Sequence, residues 1–175
     1  NYYVFDTLTH HFAIKSCSFA ENSARIKITS RTETDSNSPC TNIRIPITFM
    51  DSAFNRYDAM IIDNGEEIEH NFSLPFTPQA AFLDFDEEFF DLTTDSYKII
   101  SEPSNYEFKN SYFKANVTSC QDSVLLRPTL HWVGANQEQL PEGISRFSQK
   151  HYWTIEGVNL DKAEIEAKFY FKISF

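Results

Sequence analysis

The chain has 175 residues and carries 15 basic against 25 acidic side chains, a formal net charge of −10 at neutral pH. This acidity repels nucleic-acid phosphates and anionic lipid surfaces, so neither is expected as a partner. Hydrophobic residues make up 41% of the chain, enough for a packed core, yet no apolar stretch approaches the roughly 20 residues of a membrane helix. Only 4 glycines are present, which argues against glycine-rich phosphate-binding loops. We expect a soluble chain without membrane insertion.

Apolar and polar residues alternate along the whole chain, as they do in strands with one buried face. The clearest runs are at 24–29, 43–49, 68–76, 113–117, 124–132 and 165–175. Pro46 is expected to move the second of these strands to a sheet edge or to turn its nitrogen toward solvent, and Pro128 lies within the fifth. The pattern predicts an all-β fold, an antiparallel β-sandwich, and excludes a helix-rich enzyme core.

Polar turn-forming residues at 101–105 follow a strand-like segment at 97–100 and mark the best domain boundary. Residues 1–100 carry 16 acidic and 7 basic side chains, a net charge of −9, whereas residues 101–175 carry 9 and 8, a net charge of −1. We predict two immunoglobulin-like sandwich modules in tandem, an acidic one at 1–100 and a smaller one at 101–175. The second module either shares a sheet with the first or is truncated at Phe175. The start at Asn1, without a leader pattern, suggests a fragment of a longer protein.

The cysteines and histidines do not form a recognisable catalytic or metal-binding pattern. Cys17 and Cys40 are candidates for a disulfide, which the composition leaves open, and Cys120 is expected to be a buried small hydrophobic residue. His131 and His151 flank the two tryptophans and could approach each other, although hydrogen-bonded roles fit them better than a zinc site. Neither an HExxH motif nor a Gly-x-Ser-x-Gly elbow is present. The sequence assigns no catalytic residue and no cofactor to this chain.

Two clusters remain as candidate ligand sites. Asp84, Asp86 and Asp91 could supply hard oxygen ligands to calcium, although the segment lacks an EF-hand pattern and a turn glycine, and an exposed acidic rim is the alternative. A second cluster of aromatic side chains could hold a sugar, as aromatic faces do in many carbohydrate-binding modules. Its members are Trp132, Tyr152 and Trp153. Because successive strand residues point to opposite faces, Tyr152 and Trp153 are not expected to contact one ligand together.

Several segments resemble the region that follows the catalytic domain in secreted aminopeptidase N-like zinc metallopeptidases of Bacteroidetes type. The similar segments are Asp-Ser-Val-Leu-Leu-Arg at 122–127, His-Trp-Val at 131–133, Arg-Phe-Ser at 146–148 and Tyr-Trp-Thr-Ile-Glu-Gly at 152–157. The resemblance extends over about residues 76–175, and its first similar segment is Leu-Asp-Phe-Asp at 83–86. It departs from the family at Phe85, where a proline is usual, and at 134–136, where Gly-Ala-Asn replaces Ala-Pro-Asp.

The resemblance implies a non-catalytic accessory or scaffold domain that packs on the catalytic domain of the same polypeptide or shapes access of substrate to it. It also implies that zinc belongs to that catalytic domain, and that the protein is secreted, at the cell surface or periplasmic. No family catalytic residue can be assigned here, so the isolated chain is expected to have no peptidase activity. The alternative from the residues themselves is a carbohydrate-binding or adhesive β-sandwich module.

Overall fold

The computed structural model describes residues 9–32, 42–64, 69–89, 91–135 and 148–170. These residues form strands that we number in chain order. The strands are His10–Ala20 (β1), Ser23–Thr32 (β2), Ile43–Met50 (β3), Arg56–Asp63 (β4), Glu69–Ser73 (β5), Ala80–Leu83 (β6), Thr93–Asp95 (β7), Lys98–Ile100 (β8), Ser104–Phe108 (β9), Phe113–Cys120 (β10), Val124–His131 (β11), Tyr152–Val158 (β12) and Ala163–Phe169 (β13). A single 3₁₀ turn, Leu160–Lys162, is the one helical element among them. The predicted all-β class is confirmed.

The chain divides into two compact units, Asn1–Leu92 and Thr93–Phe175. This division precedes the segment at 101–105 that the sequence marked as the boundary. The difference arises because β7 and β8 are hydrogen-bonded to β11 and therefore belong to the second unit. The immunoglobulin-like character of each module stays a prediction.

In the first unit, two antiparallel three-stranded sheets enclose one core. Their strand orders are β1-β2-β5 and β4-β3-β6. The core takes alternate residues from β2, among them Ile26, and alternate residues from β3, among them Ile45, Ile47 and Phe49. This is the arrangement of a β-sandwich, in which the inner faces of two sheets interdigitate.

Of the two alternatives expected for Pro46, the edge strand is wrong, because β3 lies between β4 and β6. On the β6 side, however, pairing covers only residues 47–50, and at Pro46 the contact is a hydrogen bond from the backbone N–H of Asp84 to the Pro46 carbonyl. The proline nitrogen faces the same side as its carbonyl, so the missing N–H removes only the reciprocal bond to Asp84, just beyond the residues that pair with β6.

The second unit is also a sandwich of antiparallel sheets. One sheet has the order β9-β10-β13, and in the other β11 lies between β12 on one side and β7 and β8 on the other. Val117 of β10 and Leu126 of β11 belong to the shared core, with Phe108 and Phe113. All eight residues of β11 are buried, so both faces of this strand are covered.

Register shifts interrupt the ladders at two positions. In β1 the pairing with β2 shifts between Ile14 and Ser16, and in β10 the pairing with β13 shifts between Val117 and Ser119. Each bulge inserts one extra residue, Lys15 or Thr118, so the residues beyond it change face. Among the described residues, no helix has the length and hydropathy needed to cross a membrane.

Candidate functional site

Aromatic side chains gather at one end of the second unit. Three element ends meet there, because β11 ends opposite the start of β12 at His131 and Tyr152, and the turn before β10 lies beside the end of β13. The backbone N–H of Tyr170 donates to the Tyr112 carbonyl at 2.9 Å, which joins that turn to the end of β13. We call this region the aromatic end.

The three residues proposed to contact a sugar lie in three different environments. Trp132 is 47% exposed, and its indole N–H donates to Oγ1 of Thr94 at 3.1 Å. Tyr152 is half-buried, with its ring stacked on His131 at a centroid separation of 4.2 Å. Trp153 is half-buried and donates its indole N–H to the Ser111 carbonyl at 2.7 Å. Of the three, Trp132 is the one with a largely exposed ring.

Tyr112 lies next to Trp132 and was missed by the sequence analysis. It is 52% exposed, and the two ring centroids are 6.2 Å apart with the planes at 89°. Tyr112 also adopts a positive φ of 50°, a conformation that a non-glycine residue rarely takes. Tyr112 lies in a turn, where apolar and polar residues do not alternate, so the sequence pattern could not identify it as an exposed aromatic residue. The pair forms a right-angled corner rather than a flat platform.

Trp153 packs against other aromatic side chains of the aromatic end. Its ring centroid lies 5.3 Å from that of Phe169, and Phe169 in turn contacts Phe113 at 5.2 Å edge-on. His151 meets the Trp153 ring at 5.2 Å in a T-shaped arrangement. The ring contacts and the indole hydrogen bond hold Trp153 in place, so it is an anchor of the sandwich rather than a free ligand platform.

A buried ionic group follows one face of β11. The guanidinium of Arg127 donates to Oδ2 of Asp95 at 2.5 Å, with both side chains 4% exposed. Oε2 of Glu156, directly opposite on β12, lies 3.9 Å from the other terminal nitrogen of Arg127. Burial raises the pKa of Glu156 to about 7, with Arg127 acting to lower it and Asp95 to raise it. A carboxyl group that titrates near neutrality can exchange a proton, but here the charged groups that act on it are Arg127 and Asp95, which already pair with each other.

His131 continues the polar row toward the aromatic end. It is 5% exposed, and its Nε2 lies 2.9 Å from Oγ1 of Thr154. His131 stacks on the Tyr152 ring, whereas His151 meets the Trp153 ring edge-on, so the two histidines contact different aromatic rings. In the part of the chain that the structure describes, no group of three or more histidine, cysteine or acidic residues is placed to hold a metal ion.

The acidic residues proposed for calcium make three separate kinds of contact. Asp84 accepts hydrogen bonds from the backbone N–H groups of Glu88 and Phe89, at 2.8 and 3.0 Å. Asp86 forms a two-point ion pair with Arg56, whose pKa is raised by this contact. Asp91 forms a β-bridge with His10. The structure thus uses Asp84 to close a turn and Asp86 to tie that turn to β4.

The cysteines stand apart from these clusters. Cys17 is exposed on β1, Cys40 lies outside the described residues, and their disulfide stays a prediction. Cys120, expected to be buried, is only half-buried at the margin of the second core, and its thiol lies 2.8 Å from the Asp122 carbonyl.

A shallow depression of about 290 Å³ in the first unit is lined by β1, β2 and β5. Phe19 and Phe72 contribute its apolar wall, and Arg25 and Asn71 its polar one. Arg25 already pairs with Glu69 at 3.3 Å. The depression offers contact area but no convergent set of polar groups.

Comparisons of the chain with protein-family models, with curated proteins and with solved structures find no match. The segments that resemble the metallopeptidase family fall mainly on β11 and β12, which pair over their whole length. Arg127 and His131 from these segments are buried, Glu156 is the half-buried neighbour of Arg127, and Gly157 allows a close approach of the two strands.

Proposed function

We propose that this chain is a non-catalytic accessory domain of a secreted aminopeptidase N-like metallopeptidase, in which it packs on the catalytic domain or shapes access to it. The observation that carries the proposal is the role of the residues in the similar segments. Arg127 is held in an ion pair, His131 is stacked on Tyr152, and Gly157 spaces two strands. Each of these contacts is structural, which fits a scaffold. The parent class rests on the motif resemblance.

The test is the native product in its source, analysed by intact mass and peptide mapping. We expect a longer polypeptide with an HExxH segment and a distant glutamate ligand upstream of Asn1. A mature protein that begins at Asn1 directly after a signal sequence would overturn the parent class.

A second measurement tests the non-catalytic role independently. The purified chain is expected to release no arylamine from amino-acid arylamides, with or without added zinc. A rate that a chelator abolishes would contradict the proposal, and a boiled sample of the same preparation controls for spontaneous hydrolysis.

The exposed corner of Trp132 and Tyr112 favours one alternative, a carbohydrate-binding module. A sugar ring stacked on the face of Trp132 would meet the Tyr112 ring beside it. Under this alternative, polysaccharides quench tryptophan fluorescence, and the change disappears in Trp132→Ala but persists in Trp153→Phe. A flat titration of the native chain counts against it.

A further inference from the structure

The last strand of the second unit, β13, is an edge strand among the described residues, with β10 on its other side. Its inward-facing side chains include Phe169, which is 42% exposed although it packs on Phe113. Inward-facing apolar residues of a closed sandwich are normally buried. The open edge thus carries apolar surface that a further strand would cover.

The backbone of β13 has a defined set of groups facing this edge. Tyr170 donates its N–H to Tyr112 on the β10 side. Because the hydrogen-bonding direction alternates along a strand, the even-numbered residues face β10, and Ile165, Ala167 and Phe169 direct their N–H and C=O groups to the free edge. An added strand would find three residues ready to pair.

The sequence of β13 complements itself about its centre. In an antiparallel pair of two β13 strands with Ala167 opposite Ala167, Ile165 faces Phe169 on the inward side. On the outward side Glu166 faces Lys168, twice by symmetry. Lys168 is exposed and forms no ion pair with any residue that the structure describes.

The proposed register sets no like charges opposite each other. Shifting the pair by two residues in one direction places Glu166 opposite Glu166, a repulsion set against two Glu164–Lys168 pairs, and in the other direction it places Lys168 opposite Lys168. Like charges directly opposite each other are destabilising. Shifts of a single residue are excluded because they set inward against outward side chains.

We propose that a second copy of this chain docks on β13, so that the sheets β9-β10-β13 of two copies join in one sheet about a two-fold axis at Ala167. The interface is isologous, since each copy offers the same strand and the same two charges. It buries Phe169 of both copies and satisfies the open edge of both sheets.

The test is the oligomeric state of the full chain, measured by analytical ultracentrifugation from about 1 to about 200 µM. We expect a concentration-dependent dimer. Lys168→Glu sets acid against acid at two symmetric pairs and should weaken the dimer about tenfold. Glu166→Lys combined with Lys168→Glu restores the opposite charges and should restore the dimer.

Ala167→Pro removes an N–H that faces the free edge and leaves the hydrogen bonds to β10 in place, so it should give a folded monomer. Lys15→Glu, the same charge change in the first unit, is the matched control and should leave the dimer unchanged. A native chain that stays monomeric at the highest concentration overturns the proposal. So does a dimer that is indifferent to Lys168→Glu, which remains informative if the proline variant misfolds.

Discussion

At the scale of single residues, the ionic group on β11 combines a tight ion pair, Arg127 with Asp95, and a carboxyl group, Glu156, whose pKa is strongly shifted. Arg127 and Asp95 are each 4% exposed and neutralise one another at 2.5 Å. Glu156 lies 3.9 Å from the same guanidinium and keeps 30% of its side chain exposed, so it has lost much of its hydration without gaining a close partner. Its burial therefore outweighs the attraction of Arg127, and its pKa rises to about 7.

The raised pKa of Glu156 predicts a loss of stability as the solution becomes more alkaline. The folded chain holds this proton more tightly than the unfolded chain, where the pKa is near 4.5. Its contribution is full below that value and is lost as the pH rises toward 7. The change in the free energy of unfolding should be about 2 kcal/mol, less than the full shift because the side chain keeps 30% of its surface exposed.

Denaturant unfolding between pH 5 and 8 measures this effect. Glu156→Gln mimics the protonated carboxyl and should remove the slope, leaving the variant more stable than the native chain at pH 8. Glu166→Gln, a change at an exposed position, is the control. An unchanged slope in Glu156→Gln would assign the pH dependence to other groups.

At the scale of elements, the spacing between β11 and β12 depends on Gly157. A Cβ atom added there would lie 2.0 Å from the Leu125 carbonyl oxygen and 2.8 Å from a side-chain carbon of Leu160. The carbonyl belongs to the backbone of a fully buried strand and cannot turn aside. The absence of a side chain is what lets the two strands pair at this point.

Gly157→Ala is therefore expected to destabilise the second unit by about 3 kcal/mol. Gly134→Ala is the matched control, since its added Cβ would be 3.0 Å from backbone atoms of Gln149 and a smaller adjustment suffices. Thermal unfolding followed by tryptophan fluorescence reports both. Equal losses in the two variants would mean that the close approach to Leu125 relaxes freely.

Alternation predicted mainly those elements whose inner and outer faces differ in polarity, with β11, buried on both faces, as the exception. The strands β2, β3, β10, β11 and β13 follow the predicted runs, and β5 covers the middle of another, whereas part of the last run, 171–175, lies outside the described residues. The pattern failed for β4, because Met60 and Ile62 are apolar residues on the exposed face. It also failed for β1, where the bulge at Lys15 breaks the alternation.

The prolines illustrate what a single sequence leaves undetermined. Pro46 and Pro128 lie in central strands, where the general rule disfavours proline. Pro128 falls between the segment of β11 that pairs with β8 and the segment that pairs with β7. The sequence around a proline does not show whether the neighbouring strands leave a gap opposite it, so its position in a central strand could not be predicted. Likewise, the partnership of Asp95, Arg127 and Glu156 joins three strands, and no local spacing encodes it.

At the scale of the whole molecule, the two units differ in charge and in spectroscopic reporters. Residues 1–92 carry 15 acidic and 6 basic side chains, a net charge of −9, and residues 93–175 carry 10 and 9, a net charge of −1. Both tryptophans, Trp132 and Trp153, lie in the second unit. Repulsion among like charges therefore acts mainly on the first unit, whose unfolding tryptophan fluorescence does not report.

We expect added salt to stabilise the first unit selectively, since screening weakens repulsion among its acidic side chains. Far-UV circular dichroism, which follows both units, should show a transition that moves up by a few degrees between low and high salt. The fluorescence transition should move less. Coincident curves that shift together at every salt concentration would mean that the units unfold as one.

The two bulges determine where the fold accepts an insertion or deletion of one residue. Beyond Lys15 the inward positions of β1 pass from even to odd numbers, so that Phe12 and Ile14 share a face with Cys17 and Phe19. Thr118 separates the two halves of β10 in the same way. A one-residue gap at Lys15 or Thr118 is therefore compatible with the same core. The same gap in the middle of β2 or β3 would turn the core side chains of the following residues toward solvent. One-residue insertions and deletions are therefore expected at the first two positions alone.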